Sequence, residues 1–198
     1  MIHYLSIKFF IFIKCIILLK EINLLKIESL FNKFADILGF ITGLAMVLMI
    51  LNVFYDVITR YVFRVNSIAM QEMEWHLFSV VILIGVAYTL KEDGHVRVDI
   101  VYDKFSYRKK ALINMFGVVL AVLPISFLIG LSSIENATEA YMSMEQSGNP
   151  GGLEYRWIVK SLIPLSFLML IITSIGFFIK NLNIFNGLHG MDEKGPLV

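Results

Sequence analysis

The sequence predicts an all-α integral membrane protein built on four transmembrane helices, with interfacial amphipathic helices beside them. Three observations carry this expectation. The 198 residues are 58% hydrophobic and only 17% charged, with a mean hydropathy of +0.76, whereas soluble domains run near 45–50% apolar and about 25% charged. Four segments approach the roughly 20 apolar residues that a helix needs to cross about 30 Å of hydrocarbon. The loops between those segments differ sharply in their Lys and Arg content.

Residues 1–34 read as a lysine-rich interfacial segment, residues 35–182 as the four-helix membrane domain, and residues 183–198 as a polar cytoplasmic tail. In the first segment, Lys8 and Lys14 interrupt the apolar run, and a central lysine costs about 2.5–3.5 kcal/mol on the insertion scale. No small-residue cleavage site follows, which argues against a signal peptide. The favoured reading is a helix whose lysines snorkel to the interface; a start codon assigned too far upstream is the alternative.

The charge-free runs are Ile37–Tyr55, Trp75–Leu90, Ala111–Ile134 and Ser161–Ile179. The second is short, about 24 Å as a helix, so its helix is expected to begin earlier, around Ile68–Met73, with Glu72 and Glu74 at the membrane surface. The runs lack the in/out alternation of barrel strands. Pro124 and Pro164 are expected to kink the third and fourth helices.

Orientation follows from the cations of the short loops. The loop after the second run holds Lys91, Arg97, Lys104, Arg108, Lys109 and Lys110, whereas the loop from Glu135 to Tyr155 has neither Lys nor Arg and carries Glu135, Glu139, Glu145 and Glu154. Both termini and the Lys91–Lys110 loop are therefore expected in the cytoplasm, and the Glu-rich loop outside.

Several function classes are disfavoured. The net charge of +1 and the lack of a separate basic block imply no nucleic-acid partner. A single cysteine, Cys15, excludes an intrachain disulfide and a multi-cysteine metal cluster. Asp36, Asp56, Glu72, Glu74, His76 and Lys160 all sit near the ends of runs, whereas ion-coupled transporters place ionisable groups deep in the membrane. A stand-alone small transporter is thus an alternative without its usual signature. So is a membrane anchor for a redox enzyme: His76 and His95 would lie roughly 28 Å apart along a helix, at opposite faces, rather than ligating one haem. No cofactor, metal site or catalytic residue is assigned.

Ala35, Gly39 and Gly43 recur every four residues on the first span, as do Gly117 and Ala121 on the third. Such spacing lets helix backbones approach closely, although glycine is also simply common in membrane helices. After the second span, Val96, Ile100, Val101 and Phe105 fall on one side of a notional helix, with Arg97, Asp99, Asp103 and Lys104 largely elsewhere. That pattern suits a helix lying along the interface; a solvated basic loop is the plainer reading.

The same stretch carries a resemblance. "EWHLFSVVILIGVAYTLKEDGHVRVDIVYDKFSYRKKA" resembles the signature region of the small membrane subunit of tripartite ATP-independent periplasmic (TRAP) transporters. Glu72, Glu74 and Trp75 open the span, Gly85 lies within it, and His95, Val96, Arg97, Val98 and Asp99 run into the loop. "NPGGLEYRWIVKSLIPLSF" and "RYVFRVNSIAMQEMEW" extend the likeness to about Ile27–Leu182. The resemblance implies a bacterial inner-membrane subunit without catalysis, partnered by a large membrane subunit that holds the sodium and substrate sites. It also implies a periplasmic substrate-binding protein and uptake of organic acids driven by sodium.

Candidate interface residues follow. Trp75, with Tyr88, serves either partner contact or interfacial anchoring. Glu72 and Glu74 are placed to pair with Arg60 or Arg64, or with the large subunit. Arg97 and Asp99 point to the second subunit or to lipid phosphate. Pro150–Gly151–Gly152 forces an irregular turn; with Tyr155, Arg156 and Trp157 it forms an outer patch where a binding protein could dock or where the fourth span is anchored.

Overall fold

A computed structural model describes the backbone of residues 2–94, 102, 104–188, 191–192 and 195–196, and side chains over 24–94, 102 and 104–188. The fold is all-helical in its membrane part. Helix α1 spans Ile2–Tyr61, α2 spans Ile68–Lys91, α3 spans Tyr107–Gly117, α4 spans Leu123–Met142 and α5 spans Trp157–Phe185. A π-helical turn, Val118–Val122, joins α3 to α4 into one rod. Four segments are long and apolar enough to cross a membrane: Leu24–Tyr61, Ile68–Lys91, Tyr107–Met142 and Trp157–Phe185. Each contains one of the apolar runs, and the second helix does begin at Ile68, where Ser67 caps it by accepting from the Met70 N–H.

The π-turn has a local cause. Pro124 has no N–H, and its ring would collide with the carbonyl four residues earlier in a regular helix. The backbone widens just before it, and the Leu123 N–H donates to the carbonyl of Val118, five residues back. Pro164 lies inside α5, which continues through it to Phe185.

Helix α5 is the hub and packs against the other four helices. Its buried positions, Ser166, Leu170, Thr173, Ser174, Phe177 and Asn181, recur at helical spacing. Leu90, Val118, Leu170 and Phe177 form one apolar cluster, and Leu38, Ile84 and Ala87 form another between α1 and α2. Thr173 and Ser174 satisfy their hydroxyls on carbonyls of the preceding turn, as polar side chains in a span must. Most large apolar side chains instead face outward, the arrangement expected where hydrocarbon is the solvent.

Two glycines set how closely helices approach. A Cβ on Gly39 would lie 2.6 Å from ring carbons of Tyr88, so α1 and α2 meet there in a way that only glycine permits. A Cβ on Gly176 would likewise run into Phe31, bringing α5 against α1. Ala35 is buried beside this contact surface, Gly85 faces Thr42, and Gly43 and Gly117 face open space. Ala121 is exposed.

Polar bonds tie the helices at both ends. Asn52 donates to the Met70 carbonyl at 2.9 Å, where α1 meets the start of α2. Asp56 is 1% exposed and pairs with Arg60 one turn on. At the other end Lys91 of α2 bonds Asp36 of α1, and the fully buried Asn183 of α5 donates to Glu28 of α1. Helix α1 therefore packs on α5 as far back as Glu28, and its backbone stays helical to Ile2. At 60 residues it is about 90 Å long. At the far end, Gly187 takes φ +76 after α5, and Met191–Asp192 pairs antiparallel with Gly195–Pro196.

Candidate functional site

The most organised polar structure lies at the end of the bundle carrying the α1–α2 and α4–α5 connections. Asn149–Pro150–Gly151–Gly152 forms a type II turn. Pro150 fixes φ at the second position, Gly151 supplies φ +80 at the third, and the Gly152 N–H donates to the Asn149 carbonyl at 3.0 Å. The turn is regular rather than irregular, because proline and glycine stand where that turn type requires them. The Ser147 N–H donates to the Leu153 carbonyl and the Arg156 N–H to the Glu145 carbonyl, both at 3.1 Å, so the loop closes as a short hairpin.

Glu72, one turn into α2, clasps this hairpin. Its carboxylate accepts from the Leu153 N–H at 2.7 Å, from Asn149 Nδ2 at 3.0 Å and from the Ser147 hydroxyl. Ser147 Oγ in turn accepts from the Asn149 N–H at 3.1 Å. A Cβ on Gly152 would come within 2.7 Å of Glu72 Oε2, so the missing side chain is what lets the carboxylate reach both strands of the hairpin. Lys160 on α5 pairs with Glu145 and fixes the base of the loop to the fourth span.

Beside the clasp opens a cleft of about 390 Å³ whose walls include Gln71, Glu72, Trp75, His76, Arg156 and Lys160. With Glu72 committed to the hairpin and Lys160 to Glu145, Arg156 is the exposed cation at the rim. Trp75 is 69% exposed and stacks edge-on with Phe78, while Trp157 meets Tyr141 edge-on at 5.2 Å. Glu74 is half-buried. Among the described residues no group of three or more His, Cys, Asp or Glu could hold a metal ion. The arrangement offers a hydrogen-bonded loop, an exposed guanidinium beside Glu72 and aromatic surface.

The structure brings together Glu72, Trp75 and Arg156, and keeps Trp157 nearby on α5. It does not join Glu72 to Arg60, whose guanidinium is taken by Asp56. Gly85 lies far from this site, against α1. His95, Arg97 and Asp99, and most of the expected interfacial helix with Val96, Ile100 and Val101, lie outside the described residues. Reasoning from sequence did not find Ser147, Asn149 and Leu153 as partners of Glu72. The turn itself is legible in Asn-Pro-Gly-Gly, but nothing local connects it to a residue on another helix.

A bundle of four spans with its ion pairs toward the two ends defines a small polytopic membrane protein. Residues 49–183 match the family model of the tripartite ATP-independent periplasmic transporters, DctQ component. The chain belongs to that family, whose members are the small membrane subunits of TRAP transporters. Comparison with curated proteins returns no match.

Proposed function

We propose that this chain is the accessory scaffold of a sodium-driven importer of organic acids, assembled with a large membrane subunit and served by a periplasmic substrate-binding protein. It resides in the bacterial inner membrane with both termini in the cytoplasm. The large subunit carries the sodium and substrate sites. This chain enlarges and stiffens the stationary part of the assembly, and its Glu72-clasped loop presents Arg156 and neighbouring aromatics to the binding protein on the outer side.

The observation that carries this reading is the family match across the four-span region. The charge asymmetry of the loops supports the orientation. The outward-facing apolar surface gives a helical partner as well as lipid something to pack on. Co-purification through a C-terminal tag tests it. A stoichiometric large polytopic partner, with sodium-dependent uptake requiring both chains and a binding protein, is the expected result. A chain that purifies without a partner and transports alone would overturn it.

A further inference from the structure

At the end of the bundle opposite the clasp, two cavities meet. One, of about 320 Å³, has mixed walls that include Tyr102, Tyr107, Lys110 and Lys180. The other, of about 460 Å³, runs along the third span past Ile113, Gly117, Ala121 and Ile125 and is almost wholly apolar. Asp93, Asn114 and Phe177 line both. A cationic, aromatic mouth thus opens directly into a hydrocarbon slot.

We propose that these joined cavities bind one anionic phospholipid, its phosphate at Lys110 and Lys180 and an acyl chain in the slot. A ligand that fills both halves must be charged at one end and apolar over the rest. From Ile113 to Ile125 the slot follows roughly 18 Å of helix, close to the depth of one leaflet at about half of 30 Å. Gly117 borders open space here, since a Cβ on it would meet nothing within 4 Å. The Lys110 ammonium lies 4.9 Å from the Tyr102 ring centre and 5.7 Å from that of Tyr107, which holds it at the rim. Lys180, half-buried on α5, faces it across the mouth.

Among the described residues that line this mouth, Asp93 is the acidic one, set against Lys110 and Lys180. The described lining thus carries two cations and one anion. Basic pockets between membrane helices take anionic headgroups in just this way. The floor is fixed by a polar chain: the Tyr102 hydroxyl contacts Asn114 Oδ1 at 3.1 Å, Asn114 Nδ2 donates to Asn181 Oδ1 at 2.9 Å, and Asn181 Nδ2 donates to the Phe177 carbonyl. The lipid would come from the cytoplasmic leaflet; that detail alone rests on the orientation proposed above.

The test is native mass spectrometry of the full chain, alone and in its complex, after exposure to phosphatidylglycerol or phosphatidylethanolamine. The wild type should retain one phosphatidylglycerol and prefer it by about tenfold or more, given roughly 1 kcal/mol per lysine at an anionic surface. K110Q/K180Q should lose that preference. A121F, which fills the slot and leaves both lysines, should lose the lipid altogether, and it carries the test if the double variant fails to fold. Equal retention of the two lipids by the wild type, or unchanged preference in the variants, would overturn the proposal. So would binding of inorganic phosphate without lipid, or expulsion of the lipid when the complex forms, which would give the slot to a partner helix. A reversed topology would leave lipid binding intact and change only the leaflet.

Discussion

The carboxylate of Glu72 on α2 accepts the backbone N–H of Leu153, 81 residues further along, at 2.7 Å. A backbone donor in a loop is thereby satisfied by a side chain from a different span, and the loop's shape becomes dependent on the packing of α2 beside α5. Asn149 and Ser147 bond the same carboxylate, so both strands of the hairpin answer to one residue. Ionised acceptors bind N–H donors more strongly than neutral ones.

Glu72→Gln should therefore loosen the hairpin without unfolding the bundle. Hydrogen exchange at Leu153 and Gly152 should quicken, while amides of α5 around Leu170 and Phe177 stay protected. In the proposed role, uptake should fall while co-purification with the large subunit persists. Unchanged exchange at Leu153 would show that the backbone ladder alone holds the loop.

Two glycines of one sequence pattern should behave oppositely. Gly39→Leu drives a side chain into Tyr88, whose ring already lies 2.6 Å from where a Cβ would sit, and should cost about 1–3 kcal/mol as overpacking does. Gly43→Ala meets open space and should change stability by no more than about 0.5 kcal/mol. Unfolding midpoints of the two variants in one detergent settle the comparison. Equal effects would mean that α1 and α2 do not pack through Gly39.

That contrast marks what the sequence holds and what it does not. The four spans, the early start of α2 at Ile68 and the family are legible, because apolar runs of sufficient length and a long ordered motif are local signals. Small residues at four-residue spacing identify a helix face without identifying its neighbour. Gly39 finds Tyr88, whereas Gly117 and Ala121 border a cavity. Gly176, which meets Phe31, belongs to no such pattern. Pairs such as Glu72 with Leu153 and Glu28 with Asn183 join residues 81 and 155 positions apart, and only the packed bundle brings them together. The π-turn is half-legible: Pro124 announces a disturbance, but whether the helix kinks or widens depends on what packs around it.

The Asn114–Asn181 bond between α3 and α5, at 2.9 Å, should be modest in energy although it joins two spans. Interhelical hydrogen bonds in membranes average about 0.6 kcal/mol in double-mutant cycles and reach about 1.7 kcal/mol, because the separated helices also find partners. A cycle of Asn114→Leu and Asn181→Leu, read by unfolding in mixed micelles, should give a coupling in that range. Coupling indistinguishable from zero would mean that the Asn181 bond to the Phe177 carbonyl orders the side chain by itself.

Arg156→Glu separates docking from folding. The side chain is exposed, while its backbone N–H is fixed to the Glu145 carbonyl, so the substitution should leave stability within about 0.5 kcal/mol of the wild type. If this patch receives the binding protein, the reversed charge should slow association, since rim charges act chiefly on the association rate and its salt dependence. Uptake should then fall when the binding protein is limiting and recover when it is in excess, and raising ionic strength should narrow the gap between variant and wild type. Uptake equal to wild type at every concentration of binding protein would remove Arg156 from the docking surface and leave the clasp as a purely structural device.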